Sequence, residues 1–453
     1  MQERGLHILW DVIEEHLDEA GFCFAQWEQA LQSPLYTLPQ LEKKLESRLL
    51  AHLDGLLVAG SPAIDKVLLP ALAAPDPGWV FAAAYALASS EQALAQDHLF
   101  SHLEQAAPES LGPVQRALEL APIRDPQRIL RLLESARIEL QALALDVLSF
   151  QRVAGEQWGA RLPQFLLQAD SWLRAAALRA VRRLPSAACT NAVLGVLESC
   201  AMTPAAALEA GMVLGLLDAR QAAAWLHSPD RTAVEAAQLV LAMVGSVQDT
   251  ERLRRDTADK NSQRGALFAL GFSGSIPLVD HILSLMREPE LAALAGEALC
   301  GITGVDIEKA GLAAKPPPAP PATADQEPPQ LADLDADLSR PPEADLPVPD
   351  PDAAAAWWKD HRASFTPGIR YVYGLPMEGA RTLIAALALA PMRRRHALAL
   401  ELAMASQGQL QVETRALARA QWRHLPPAWQ ALARAQSATP APRPSHGQEH
   451  AGA

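Results

Sequence analysis

Apolar residues recur along this chain every three to four positions, the spacing of one helix face, and almost nowhere alternate with the period of a strand. Leu9, Val12, Ile13, Leu17, Ala20 and Phe24 form one such stripe. Leu41, Leu45, Leu49 and Leu53 form a second within 38–57, and Pro34 and Pro39 punctuate the join. Residues 1–60 are therefore expected to be an N-terminal helical cap.

From 61 to 310 the pattern becomes self-similar. The clearest copy is DSWLRAAALRAVRRL, Asp170 to Leu184, and weaker copies begin at Asp76, Ser135, Thr203, Asp230, Asp259 and Glu288. From Ser135 onward they recur at roughly 27 to 35 residues, the length of one helical hairpin. Ala175, Ala176, Ala236, Ala237, Ala266 and Gly296 let neighbouring helices approach, while Leu178, Leu239, Leu267 and Leu299 fill the space between them. One hairpin cannot bury such a face alone, and stacking can. The expected fold is all-α, an α-solenoid of helical hairpins.

The pattern stops at residue 311. Residues 311–352 hold twelve of the 36 prolines, and nine acidic residues against Lys315 and Arg340 leave the segment at −7, more than half of the total of −13. Such a composition cannot bury enough apolar surface to fold, so 311–352 is expected to be a disordered, semi-rigid linker. Beyond it, 353–435 reads as a small, mainly helical C-terminal module. A short helix carries AAAAWWKDHRASF, a strand-and-turn passage carries PGIRYVYGLP, and helices follow over Met377–Leu389, Arg393–Ser406 and Gln411–Ala435. Residues 436–453 read as a disordered tail.

Composition narrows the function classes. Hydrophobic residues make up 49% of the chain, aromatics only 5%, and the apolar share is mostly Ala and Leu, poor material for a large sheet. The net negative charge argues against broad nucleic-acid or anionic-membrane binding. No membrane span is expected, because no run of 18 residues is apolar and free of charge. The start carries Glu3, Asp11, Glu14 and Glu15 where a secretory signal needs a basic and then an apolar region, so a cytoplasmic location is expected.

Cys23, Cys189, Cys200 and Cys300 are too scattered for a zinc knuckle or a redox pair and read as buried thiols. His98 and His102 share a helix face without a third ligand. Arg393, Arg394 and Arg395, with Arg381, read as a solvated basic face answering the acidic linker. Phosphate-binding loops, nucleophile elbows and metalloprotease helices are absent, so no catalytic, cofactor or metal residue is assigned and a non-catalytic protein is expected.

The pairing of Asp170 with Arg174 and of Asp259 with Arg264 resembles HEAT repeats, where the Asp caps a helix and the Arg bridges to the next repeat. Several passages together resemble an uncharacterised bacterial HEAT-repeat family often encoded in type VI secretion gene clusters. They are VIEEHLDEAGFCFAQWEQAL, LLAHLDGLLVAG, GEALCGITGVDIE, RRRHALALELA, VETRALARAQWRHL and, most specifically, WWKDHRASFTPGIRYVYGLP. The resemblance implies a setting, a type VI secretion apparatus, and no catalytic residues. A repeat array without catalytic signatures, joined by a long spacer to a Trp-rich module, is expected to be a cytoplasmic protein–protein interaction scaffold or accessory protein whose partners are secretion components or effectors.

Two alternatives remain open. One is an immunity or regulatory protein that sequesters an effector. The other is a HEAT-like enzyme, a lyase or a DNA glycosylase, the latter using Asp170 and Trp172 beside Arg174, Arg179, Arg182 and Arg183. The partner-binding candidates are Trp357, Trp358, His361, Arg362, Phe365, Arg370 and Tyr371, which read equally as a small aromatic core docking the C-terminal helices onto the last repeats.

Overall fold

The computed structural model describes residues 8–155, 158–199, 204–315, 341–423 and 425–426. It is all-α. Among the described residues the only strands are a two-residue antiparallel pair, with Tyr371 opposite Pro376 and Val372 opposite Leu375.

A central row of helices runs through the molecule. Its members are α1 (Trp10–Ala30), α3 (Pro77–Ser89), α4 (Leu111–Leu120), α5 (Ile138–Phe150), α6 (Ser171–Arg183), α7 (Pro204–Val213), α8 (Arg231–Val244), α9 (Gln263–Ser273) and α10 (Ala292–Thr303), each packed on the next. The helix α2 (Ser47–Ala59) packs on α1 and α3. Other helices, such as Ala93–Gln105, Thr190–Ser199 and Val279–Leu285, alternate with the row in sequence and pack on its members.

Local chemistry sets the helix starts. The carboxylates of Asp76, Asp125, Asp170 and Asp230 each accept a hydrogen bond from a backbone N–H of the first turn that follows. Each cap contributes on the order of 1 kcal/mol. The cap expected of Asp170 is therefore present. Its companion Arg174 departs from expectation by donating to the carbonyls of Gln168 and Ala169 in its own hairpin. Arg264 does reach forward, to the carbonyl of Glu290 and the carboxylate of Glu343, whereas Asp259 lies in the turn before α9 and bonds Asn261 and Ser262.

The row helices α3 and α5 are apolar on nearly every side: Val80–Ser89 and Ala142–Phe150 are buried without a break. The end of the chain also packs on the row. From α11 (Pro351–His361) through α12 (Ala380–Leu389) and α13 (Met392–Ala405) to Leu425, the chain packs back on the row, touching both its ends and its middle. Tyr371 donates its N–H to Gly274 and Tyr373 donates to Gly301, just past α9 and within α10. The helix α13 packs on α7 and α8, and Gln411 bonds the carbonyl of Arg182 at the end of α6. Arg152, past α5, bonds the carbonyl of Gln411, and Arg116 of α4 bonds that of Arg415. Finally Met392 and Arg393 donate to Tyr36 and Ser33 after α1, and Ala418 donates to Glu46.

Most of these contacts lie at the carboxyl ends of parallel row helices, where unpaired carbonyls and the helix dipole favour donors and cations. The chain therefore does not end in a separate module over 353–435. One hydrophobic core includes both Ile13 and Leu425, and a second joins α9 and α10 to Ala354 and Trp358 of α11.

Three further boundaries move. The ends of the expected linker 311–352 are ordered: Ala314 donates to the carbonyl of Val348, Asp350 donates to that of Leu312, and Ala313 bridges Pro349. The chain leaves and returns at one place, so the segment is not a spacer between two bodies, and 316–340 lies outside the described residues. The helix expected from Gln411 begins only at Ala418 and runs to Trp422, because side-chain ties hold the preceding stretch open. Gln421 Nε2 donates to the carbonyls of Thr414 and Ala416, and Glu413 pairs with Arg183 at 2.9 Å. The tail at 436–453 also lies outside the described residues.

Arg394 and Arg395, expected on a solvated face, are 1% and 0% exposed, and only Arg381 of that group is exposed. No single described helix is long and apolar enough to cross a membrane. The bent pair Leu38–Ala59 and Ser61–Leu72, which passes by length and composition, turns by 98° at its break.

Candidate functional site

The aromatic passage is built on α11. Asp350 caps that helix by accepting from the N–H groups of Asp352 and Ala353, and Pro351 occupies its first position. Adjacent residues on a helix point about 100° apart, and the two tryptophans separate accordingly. Trp358 turns in, is 3% exposed, and donates its indole N–H to Asp280 at 3.0 Å. Trp357 is half-buried on the outer side and stacks on His361, with centroids 4.5 Å apart and planes at 15°. His361 Nδ1 lies 2.8 Å from the Trp357 carbonyl, which makes it the protonated ring nitrogen.

Phe365 bridges the two layers, 5.5 Å from Trp358 and 4.9 Å edge-on from Tyr371. The Tyr371 hydroxyl accepts from the N–H of Thr366 at 2.8 Å and closes the turn between them. Arg370 forks onto Glu401 through both terminal nitrogens and also donates to the carbonyls of Phe272 and Ser273 at the end of α9. Glu401 is 2% exposed, and its burial pushes the carboxyl up against the pull of Arg370.

The seven candidates thus divide. Trp358, Phe365, Arg370 and Tyr371 dock the return segment onto α9 and α10. Trp357, His361 and Arg362 remain at the surface, with Ile369 beside them in sequence at 41% exposure.

A buried charge cluster lies behind this docking core. The Arg394 guanidinium lies 3.9 Å from the Phe272 ring centroid and 4.0 Å from Glu297. It passes between α9 and α10 where each has a glycine: a Cβ on Gly271 would meet Nη2 at 2.8 Å, and one on Gly301 would meet it more closely still. Arg393 reaches Glu297 at 3.5 Å and Glu343 at 3.6 Å and lies over Phe268. These arginines brace the return segment against the last hairpins, a role for which guanidinium suits better than ammonium because it stacks and is less strongly hydrated.

The residues raised for glycosylase chemistry are taken up by internal pairs. Arg179 and Arg183 hold the buried carboxylate of Asp146, Arg182 lies 3.4 Å from Glu209, and Asp170 is a cap. Trp172 is 45% exposed.

Two groupings at the other end of the molecule have no counterpart in the sequence reading. A π-helical turn over Glu42–Glu46 breaks the helical register ahead of α2 and turns Glu46 inward, where it is 2% exposed and accepts from the N–H of Ala418. Burial, the dominant cause, pushes its carboxyl up to about 7, the Ala418 N–H opposing. Nearby, Trp422 donates its indole N–H to Glu42 at 2.7 Å.

A folded value above the unfolded one means that the native state binds more protons across that interval. The Glu46 contribution therefore weakens native stability as pH rises from about 4.5 toward about 7. In urea unfolding, wild type should lose about 2 kcal/mol relative to Glu46→Gln between about pH 5 and about pH 7. Parallel pH profiles for the two proteins would remove Glu46 as the titrating group.

The second grouping joins α1 to α2. The Glu19 carboxylate, the Cys23 thiol and a ring nitrogen of His52 lie within 4.8 Å of one another, the one such trio of potential metal donors among the described residues. His16 Nδ1 stands 3.1 Å from His52 Nδ1. Cys23 is buried as expected, and burial holds its thiol above the ordinary range. Cys189 is buried, Cys300 is half-buried, and Cys200 lies outside the described residues. On α1 alone, His16, Glu19 and Cys23 share a helical stripe that was visible in the sequence, but the fourth member comes from a different helix.

Compared with protein-family models the chain matches none, and no curated protein matches it either. Neither comparison links the chain to a HEAT-repeat or type VI secretion family.

Proposed function

We propose that the chain is a non-catalytic protein-binding scaffold of stacked helical hairpins that works in the cytoplasm as an accessory of a type VI secretion apparatus, holding its partner on the outer face of α11. The supporting observation is the division of the aromatic passage. Its inward members are engaged with Asp280, Glu401 and the end of α9, whereas the Trp357–His361 stack and Arg362 face outward. A rigid aromatic pair beside a guanidinium is the composition of an interface anchor. The rings of Phe22, Trp79 and Trp172 are also exposed elsewhere, and α11 is favoured over them because its stack stands beside the exposed Arg362 in the passage that carries the resemblance. The secretion setting rests on the WWKDHRASFTPGIRYVYGLP passage.

Immobilised full-length protein should retain a secretion component encoded beside it, and Trp357→Ala combined with Arg362→Glu should lower that retention at least about tenfold. Trp357 packs one side on the second core and Arg362 is exposed, so the double variant should keep its helical circular-dichroism signal and unfold within about 2 kcal/mol of wild type. Equal retention by the variant removes α11 as the binding face.

A further inference from the structure

The facing sides of α1 and α2 carry an unusual set of side chains. His16, Glu19 and Cys23 fall at three- and four-residue steps along α1, so they form one stripe, and His52 of α2 stands against it. Two imidazole nitrogens 3.1 Å apart share one proton or one cation. The Cys23 thiol and the Glu19 carboxylate lie near the same histidine, all three donors within 4.8 Å of one another.

The place is built to seat these rings. The middle of α2 carries Gly55, where a Cβ would lie 2.6 Å from His16 Cδ2 and 2.7 Å from its Nε2. A glycine inside a helix costs on the order of 1 kcal/mol against alanine, and here it gives the His16 ring its only space over the α2 backbone. The rings meet edge to face, with centroids 5.3 Å apart and planes at 62°.

The donor chemistry is selective. A tetrahedral zinc site with nitrogen ligands at about 2.0 Å and sulfur at about 2.3 Å has ligand-to-ligand edges of about 3.3 to 3.6 Å. The His16–His52 edge is close to that length, while Glu19, Cys23 and His52 lie within 4.8 Å of one another and His16 stands outside that trio, so side-chain rotation must close the set on the ion. Thiolate and imidazole prefer zinc to magnesium or calcium, and one thiolate with one carboxylate neutralises the ion's charge where the site is half-buried. Arg48, the cation nearest Glu19, is no obstacle: its pair is 3.6 Å long, and both side chains are about half exposed and free to part.

We propose that Cys23, His52 and Glu19, with His16 as fourth ligand, bind a thiophilic divalent cation, zinc, which clips α1 to α2 at the start of the helix row. Binding releases the Cys23 proton to solvent and leaves the sulfur on the metal as thiolate. The metal thus adds a cross-link to a helix pair already joined by apolar packing, the His16–His52 contact and the exposed Arg48–Glu19 pair, and its binding free energy adds to folding stability.

The test uses full-length protein stripped with chelator and titrated with cobalt(II), whose thiolate complexes absorb in the near ultraviolet. The charge-transfer band should saturate at about one equivalent and be displaced by zinc, and zinc should raise the thermal midpoint of the stripped protein. Cys23→Ser should abolish the band, while Cys189→Ser and Cys300→Ser should keep it. His52→Ala, at a half-buried position that tolerates truncation, should weaken binding at least about a hundredfold with the helical circular-dichroism signal unchanged. Absence of the band at saturating cobalt, its survival in Cys23→Ser, or unchanged affinity in His52→Ala overturns the site.

Discussion

Replacing Arg370 by alanine should lower the unfolding free energy by about 4 kcal/mol, the cost of leaving one member of a buried ion pair alone. The guanidinium holds both carboxylate oxygens of Glu401, which is 2% exposed, and donates to the carbonyls of Phe272 and Ser273 at the end of α9. The variant strands a carboxylate in an apolar setting and two helix-end carbonyls without their donor.

Protonation of Glu401 relieves part of the strain, because burial already pushes that carboxyl up. The loss in Arg370→Ala should therefore shrink as pH falls toward 4, and Arg370→Ala with Glu401→Leu should recover much of it. Chemical denaturation of the three proteins at two pH values checks both points. A loss below about 1 kcal/mol for Arg370→Ala would show that the pair is solvent-screened. The same result separates stability from binding: any partner that Arg370→Ala fails to hold is lost through the fold, which is why Trp357 and Arg362 serve as the binding probes.

The helix row was legible in the sequence because it depends on local rules. Alanines such as Ala176 and Ala237 at close-approach positions, leucines such as Leu178 and Leu267 between layers, and capping aspartates such as Asp170 and Asp230 each act within a few residues or between adjacent hairpins. The return segment was not legible, because its partners are remote in sequence. Met392 meets Tyr36, Ala418 meets Glu46, and Arg183 meets Glu413, pairings that no periodicity encodes.

The arginine triplet shows the same limit. On one helix Arg393 to Arg395 look like a wet face, but Arg394 lies inside against the glycine steps of α9 and α10, and Arg395 lies inside on the Leu387 carbonyl and the Gln421 side chain. His396 beside them is held the same way, with its Nε2 on the carbonyl of Leu31 and Nδ1 on the Thr414 hydroxyl; burial lowers its pKa to about 4. Its contribution is present above about pH 6.5 and is lost as pH falls toward 4, opposite in sign to that of Glu46. Two contacts between the chain's end and its beginning thus weaken in opposite directions, which favours a shallow stability maximum between them.

Alanine at Gly274 should cost about 3 kcal/mol, for two reasons that act at one atom. The residue ends α9 with φ at +61°, the left-handed conformation that glycine adopts without a steric penalty and alanine does not. Its carbonyl also receives the Tyr371 N–H at 3.0 Å, and a Cβ there would press on the Tyr371 backbone and on Arg370 Cγ at 2.6 Å. Relief of either strain moves the strand Tyr371–Val372 off the row, and with it the Arg370 fork on Glu401. The effect should accordingly be regional before it is global: amide exchange should accelerate across 370–376 and the end of α9 while α3 to α5 keep their protection. Gly368→Ala is the matched control, since φ there is +81° with nothing within 4 Å of the added carbon, so it carries the backbone strain without the clash. If the two variants lose equal stability, backbone conformation accounts for the cost and the close approach of Tyr371 contributes nothing.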